Sequence, residues 1–443
     1  MKSIFSLFFL LYPFFRPFKE FQPVFSIVIY LSKNIKYTRK WLKKSCLTVF
    51  LFLDKSFLVV FILIKTVIMA GGKGTRLRPL TFTRPKPMIP LVNRPIMQYT
   101  VERLKNFGFR DIVMTLNYMS NRVKNYFKDG SSLGVNIDYS VEDSPLGTGG
   151  SVKKAKKYID DTFIVLSGDV ITDVNMTDVL NFHREKGALA TLVLTQVEDP
   201  THFGIAEIDR DQKITNYLEK PSREEIFSNI ANTGIYVFEP EIFDFFDKSK
   251  EEVDFSHEIF PKLIEEDSKM YGYLFNGYWN DVGRPETYLK ATYDILNQKI
   301  KQKLYRSRIQ TGIGKLGNIS VGKGIHIGNR VRIEGPVVIG NNCTIEDGCK
   351  LSKGTVIGNN VFVGSNTNIE GAVILSESRI EKNSFLKGCI IDTKCHINRN
   401  TLIEEGVVTG SASEIGKNSV VRSSRHIKND MKILPNSIID SDY

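Results

Sequence analysis

From Val321 onward an aliphatic residue returns at every sixth position. Positions 321, 327, 333, 339, 345, 351, 357, 363, 369 and 375 carry Val, Ile, Ile, Ile, Ile, Leu, Ile, Val, Ile and Leu. This period matches neither a helix, which repeats at about 3.6 residues, nor a solitary strand, which alternates. It fits a triangular coil in which each hexad forms one face and turns one aliphatic inward. Gly or Asn often follows the aliphatic, as in Ile327-Gly328-Asn329 and Ile339-Gly340-Asn341, and both tolerate a tight corner. The pattern predicts a left-handed parallel β-helix over residues 313–443. The register slips after Leu375 and partly recovers at 391–400 and 415–420. About five coils are therefore expected, with irregular final coils acting as a cap.

The preceding residues have another texture. Between Thr66 and about Asn297, short apolar runs alternate with amphipathic stretches. Strands are expected at TVIMA, DIVMTL, NIDYSV and FIVLSGD, then at Ala190–Thr195, Ile205–Ile208, Gly234–Phe238 and Tyr271–Leu274. Helices are expected at Ile96–Phe107, Ser120–Phe127, after Gly149, and from about Pro285 to Lys301. That alternation describes an α/β domain over residues 66–301 with a largely parallel sheet, joined by a linker at 302–312 to the β-helix.

The chain of 443 residues carries a formal charge of +11, but the charge is unevenly placed. Residues 1–65 hold eleven Lys or Arg against two acids, and the remainder holds 49 against 47. The body is nearly neutral, so a nucleic-acid partner is not expected. Residues 1–65 contain twelve Phe and no Gly or Ala. Their strongest candidate span, Cys46–Ile64, has Asp54 and Lys55 at its middle, each costing roughly 2.5–3.5 kcal/mol at a bilayer centre. The segment reads as translated upstream sequence, with initiation near Ile64 or Lys65, in preference to a membrane anchor. The five cysteines form no CxxC pair, which suits unpaired thiols and a cytoplasmic location. Cys343 and Cys349, and Cys389 and Cys395, lie six apart and read as stacked buried thiols.

The stretch Val67–Met88, VIMAGGKGTRLRPLTFTRPKPM, sets glycines and cations directly after a strand. A loop of Ala70, Gly71, Gly72 and Gly74 has little side-chain bulk, so its backbone N–H groups can converge on phosphate oxygens. Arg76 offers a planar fork of donors, and Lys86 a compact charge stiffened by prolines on both sides. Leu77 stands at the third glycine position of GxGxxG, so this is not the dinucleotide fingerprint.

GGKGTRLRPLT followed by RPKPM resembles the signature of sugar-1-phosphate nucleotidyltransferases. The resemblance continues through PLGTGGS (145–151), LSGDV (166–170), FGIAEID (203–209), LEKP (218–221), ANTGIY (231–236) and GYWNDVG (277–283). It covers Thr66 to Lys301 and implies a Rossmann-like catalytic domain, for which the hexad tail is a common companion. The implied reaction is attack of a sugar 1-phosphate oxygen on the α-phosphorus of an NTP, with departure of pyrophosphate. By resemblance Gly71, Gly72, Gly74 and Thr75 cradle the triphosphate, Arg76 stabilises the leaving pyrophosphate, and Lys86 bridges oxygens at the reacting centre. Asp169 and Asp281 are the implied ligands of Mg²⁺. Gly147 and Thr148 line the base pocket. Gly204, Glu219, Lys220, Asn232 and Thr233 serve the sugar and its phosphate. Phe203 replaces the Tyr that relatives often carry.

RPKPMIPLVNRP and GYWNDVGRPETYL are most similar to the mannose-1-phosphate guanylyltransferase branch, which implies GTP and mannose 1-phosphate as substrates. Uridylyl or thymidylyl transfer to glucose 1-phosphate or N-acetylglucosamine 1-phosphate stays open. So do an acetyltransferase activity of the β-helix, with His326, His396 or His426 as base, and a non-catalytic regulatory role. The flat faces of a β-helix also suggest a homo-oligomer.

Overall fold

The computed structural model describes residues 64–300 and 319–443, together with the strands Val49–Leu53 and Ser56–Val60. The expectations for most of residues 1–65 and for the linker at 302–312 lie outside the described residues. By contacts the chain divides into two units, Met1–Leu63 and Ile64–Tyr443. In the first, Val49–Leu53 pairs antiparallel with Ser56–Val60. No helix among the described residues is long and apolar enough to cross a membrane.

The second unit opens with strands β1 (Lys65–Met69), β2 (Asp111–Leu116), β3 (Asn136–Val141) and β4 (Phe163–Ser167). Helices α1 (Ile96–Asn106), α2 (Ser120–Phe127) and α3 (Gly147–Lys154) lie between them in sequence. The four strands are parallel in the order β3-β2-β1-β4. The apolar runs of β1, β2 and β4 are nearly continuous because a sheet covered on both faces leaves few central positions facing water, whereas the edge strand β3 exposes Asn136. A short strand β5 (Val170–Thr172), helix α4 (Met176–Lys186) and strands β6 (Ala190–Gln196), β7 (Gly204–Ile208), β8 (Ile214–Glu219) and β9 (Ile230–Phe238) follow. Helix α4 is absent from the sequence reading, although its ends are marked. The Asn175 side chain accepts from the Thr177 N–H, and Gly187 closes the helix at φ 54°. Strand β9 runs antiparallel to β4, β6 and β7, and β10 (Met270–Leu274) pairs parallel with β6. The sheet is therefore mixed and mostly parallel at its centre. Helix α5 (Phe260–Glu265), strand β11 (Trp279–Asp281) and helix α6 (Pro285–Leu296) complete the domain.

The hexads build three seven-stranded parallel sheets, the faces of a left-handed β-helix. There are seven coils, not about five, and they stay regular to Ile439. The difference has a local cause. Ile369 and Ile374 are successive inward positions, as are Leu386 and Ile391, so each of these hexads is one residue short. The shortened corners hold Gly371 and Gly388 at φ 57° and 51°. After Ile391 the spacing of six returns, shifted by two. Leu375, expected inside, instead lies in the apolar seam between the coils and the α/β domain. Apart from the half-buried Ile327 in the first coil, each inward Val, Ile or Leu is buried, a gain of roughly 1.5–3 kcal/mol for a full burial. Other corners place Asn342, Asn360, Asn366, Asn383, Asn400, Asn418 and Asn436 in the left-handed region. Cys343, Cys349, Cys389 and Cys395 are buried and unpaired, as expected.

One outer column of the prism, Val338, Val356, Val373, Ile390 and Val408, is also buried. It packs on Leu80, Leu91, Tyr288 and Ile295 of the α/β domain. Tyr293 of α6 lies over two corner glycines, and its hydroxyl donates to the Gly371 carbonyl at 2.6 Å.

Candidate functional site

The neighbouring carboxyl ends of β1 and β4 define the site. In an open α/β sheet, chains leaving two adjacent parallel strands frame a crevice. Gly168 lets these ends meet, since its N–H donates to the Met69 carbonyl at 2.9 Å and a Cβ there would fall 3.0 Å from that oxygen. The glycine loop leaves β1 at Ala70, whose N–H is held by the Thr115 carbonyl. Gly71 packs against Asn117, and a Cβ on Gly72 would meet nothing within 4 Å. Gly74 turns at φ 63° and starts the short turn of Thr75–Leu77 that carries the exposed Arg76.

Lys86 reaches this crevice from the proline-flanked turn Lys86–Met88. Its Nζ bonds to the Asp169 carboxylate and lies 3.0 Å from Asp281 Oδ1. The two carboxylates meet because β11 pairs with β5 in a register that sets Asp281 opposite Val170. The Val282 N–H donates to the Asp169 carbonyl at 3.2 Å and closes the pair. Burial opposes ionisation of Asp169, but Lys86 and the Ser167 hydroxyl outweigh it and hold the carboxyl below its ordinary range. Asp281 goes the other way. Burial and the Asp169 charge raise it, against Lys86 and Arg76. Burial also works against the Lys86 charge, and the two aspartates overcome it, so its pKa is raised.

On the β3 side lies a carboxylate that the sequence reading missed. Glu142 is 6% exposed, and its Oε1 has no hydrogen-bond partner. Burial raises this carboxyl to about 6, against partial relief from the Leu146 N–H and Lys154. It sits 3.6 Å from where a Gly71 Cβ would be. A signal was present: Glu142 directly follows the parallel strand β3, much as Asp169 stands just past β4. Gly147, at φ 72°, packs so closely on Val253 that a Cβ would fall 2.5 Å from its carbonyl oxygen. The Thr148 hydroxyl is taken up by Asp254 at 2.8 Å and the Phe255 N–H at 3.0 Å, so it anchors the loop.

The residues expected around the sugar fall on β7, β8 and β9. Gly204 is opposite Glu219, and a Cβ on it would lie 1.9 Å from the Tyr217 hydroxyl. Tyr217 was also missed. It shares a strand face with Glu219, donates to its Oε2 at 3.1 Å, and accepts from Asn232 Nδ2 at 3.1 Å. Lys220, in the left-handed region at φ 48°, bridges to Glu219 at 2.8 Å. Thr233 does not join this group through its hydroxyl, which donates into the sheet to the Val193 carbonyl. Its own carbonyl accepts from Trp279 Nε1 at 3.1 Å, and Trp279 packs edge-on against Phe203.

Among the described residues no group of three or more His, Cys, Asp or Glu could hold a metal. Asp169 and Asp281 nevertheless converge on one cation, the Lys86 ammonium. Two carboxylates of this kind suit a hard ion that takes its other oxygens from phosphate and water.

The chain resembles known proteins along both domains. The nucleotidyl transferase family model matches residues 65–298, and the model of the GMPPB C-terminal domain matches residues 333–443. A UTP–glucose-1-phosphate uridylyltransferase of Synechocystis sp. is 37% identical over 309 residues, covering 63% of this chain and 79% of that protein. A mannose-1-phosphate guanylyltransferase of Mycobacterium tuberculosis is 34% identical over 288 residues, covering 62% and 79%. A mannose-1-phosphate guanyltransferase of Saccharomyces cerevisiae is 36% identical over 263 residues, covering 57% and 70%. With more than half its length under one family model, and with the ordered motifs of sugar-1-phosphate nucleotidyltransferases, the chain belongs to the nucleotidyl transferase family.

Proposed function

We propose that the chain transfers a nucleotidyl group from GTP to mannose 1-phosphate, giving GDP-mannose and pyrophosphate. The observation that carries the reaction class is the meeting of Lys86, Asp169 and Asp281 beside a glycine loop. A phosphate oxygen of the sugar 1-phosphate attacks the α-phosphorus. The new P–O bond forms as the bond to the β-phosphate oxygen breaks, and the electron pair leaves with pyrophosphate. Two polyanions must approach each other, so neutralisation and alignment supply most of the rate.

Gly71, Gly72, Gly74 and Thr75 admit the triphosphate close to the backbone. Arg76 faces the leaving pyrophosphate, and Lys86 neutralises oxygens at the reacting centre. Enzymes of this family generally use a divalent metal, and here Asp169 and Asp281 would hold Mg²⁺. When bound, that ion neutralises phosphate charge. Glu219, with Lys220, Asn232 and Tyr217, would receive the sugar 1-phosphate above Gly204. The presence of Arg76, Lys86, Asp169 and Asp281 together supports an enzyme over a regulatory subunit.

Glu142 supports guanine over the uracil or thymine used by other relatives. An ionised carboxylate only accepts. Guanine offers two adjacent donors, N1–H and the 2-amino group. Uracil and thymine offer one N–H flanked by carbonyl oxygens, one of which would face the second carboxylate oxygen. Gly147 would border the same base. Mannose rests on the guanylyltransferase relatives and on the C-terminal family model. A cytoplasmic homo-oligomer completes the reading, with a monomeric mass in solution as the result against it. The decisive experiment is pyrophosphate release from a matrix of GTP, UTP, dTTP and ATP against several sugar 1-phosphates. GTP with mannose 1-phosphate is expected to turn over fastest, and a faster UTP–glucose 1-phosphate pair would overturn the assignment.

A further inference from the structure

The seam between the two domains contains a buried ion pair next to the catalytic loop. Asp392 follows the inward Ile391 of the β-helix and is wholly buried. Its Oδ1 lies 2.8 Å from Arg84 Nη1, and Arg84 Nη2 donates to Thr393 Oγ1 at 3.0 Å. The coil fixes its side of the contact. The Thr393 N–H donates to Asp392 Oδ1 at 2.6 Å, and the Thr393 hydroxyl meets Ser411 of the next coil at 3.0 Å. Asp392 Oδ2 has no hydrogen-bond partner. A buried charge pair with an unsatisfied oxygen is a poor way to gain stability, since well-packed apolar side chains commonly do as well or better.

What distinguishes this pair is its place in the chain. One residue, Pro85, separates Arg84 from Lys86, and Pro87 follows. Both prolines have fixed φ, so the segment has little torsional freedom to absorb a shift of Arg84. The Lys86 side chain also packs close to Gly74, leaving little room on the glycine-loop side. Movement at Asp392 is thus passed along a stiff tether to the ammonium that sits between Asp169 and Asp281.

We propose that Asp392 of the β-helix, acting through Arg84, is a positioning residue for Lys86, so that the C-terminal domain completes the active centre of the N-terminal one. The inference rests on the reading that Lys86 acts at the reacting phosphates.

The test compares the full-length chain with four variants: Asp392→Asn, the double change Arg84→Met with Asp392→Leu, Tyr293→Phe, and Lys86→Ala. Tyr293→Phe removes a hydrogen bond across the same seam, but one made through α6. Asp392→Asn is expected to lower kcat by about tenfold or more, since small displacements of a catalytic group are costly, with both KM values within about twofold. Tyr293→Phe should keep its kcat. The double variant removes both charges and should recover the wild-type Tm while kcat stays low, which also covers the case in which Asp392→Asn folds poorly. A double variant with wild-type kcat would overturn the proposal, as would equal kcat losses in Asp392→Asn and Tyr293→Phe at equal Tm. Lys86→Ala separates the two readings. If it retains turnover, the role of Lys86 fails and the inference with it. If it is inactive while Asp392→Asn runs at full rate, the positioning claim alone fails.

Discussion

A methyl group on Gly74 would fall 2.8 Å from Cβ of Lys86, and Gly74 itself turns at φ 63°. The glycine loop and Lys86 are therefore packed as one unit, with no atom to spare between them. This contact answers why the loop needs glycine at that position. Gly74→Ala is expected to cost about 1–2 kcal/mol of stability from the left-handed backbone alone. It should also lower kcat by displacing Lys86. Gly72→Ala is the comparison, because it meets open space at an ordinary φ and should leave Tm nearly unchanged. Thermal unfolding and initial rates on both variants check the pair. Equal Tm shifts would remove the argument.

Glu142 gives a base-selection prediction and a pH prediction. Glu142→Gln supplies one donor and one acceptor in place of two acceptors. The preference for GTP over UTP is expected to fall by about 10–100-fold, read as the ratio of kcat/KM values. Burial raises the Glu142 carboxyl to about 6, so it protonates as pH falls through that value. KM for GTP should rise between pH 7 and pH 5 in the wild type, and this rise should be absent in Glu142→Gln. A pH profile of KM that is the same in both proteins would show that Glu142 does not face the base.

Tyr217 links Asn232 to Glu219, and the ring itself is part of the core. Tyr217→Phe keeps the packing and removes the hydroxyl. One such hydrogen bond is worth about 1 kcal/mol, or roughly fivefold in affinity. KM for the sugar 1-phosphate should rise by about that factor, with KM for the NTP unchanged. A change confined to the NTP would place Tyr217 on the wrong side of the site.

The four thiols of the coils should be inert in the native protein. Burial pushes Cys389 up to about 12 and Cys395 up to about 11, and it raises Cys343 and Cys349 as well. A thiolate reagent at pH 8 is expected to label none of them in a Cys46→Ser chain until denaturant is added. Labelling at the rate of a free thiol would mean that the coils open readily.

Both folds were legible in the sequence because they rest on short-range regularities, and the reaction class because the ordered motifs resemble those of a known family. A hexad needs one inward aliphatic per face, and that requirement is met residue by residue along the chain. Asp169 was read from the LSGDV motif, a local stretch at the end of a buried parallel strand. The coil count was misread at Gly371 and Gly388, where a left-handed glycine removes one residue from a corner without disturbing the stack. A strict period cannot register such a deletion, although the inward positions continue past it.

Contacts between distant segments were decided by tertiary structure alone. The pairing of Asp281 with Val170 brings two carboxylates 112 positions apart onto one lysine. The Tyr217 hydroxyl fills the space above Gly204, and Thr233, read as a sugar ligand, donates into the sheet. Asp392 meets Arg84 across 308 positions of chain. The sequence by itself determined which backbone each segment adopts, because local sterics and burial act within a few residues. Only the packed sheet and coils decided which side chains share a pocket, because that depends on strand register and on which face of the prism is covered.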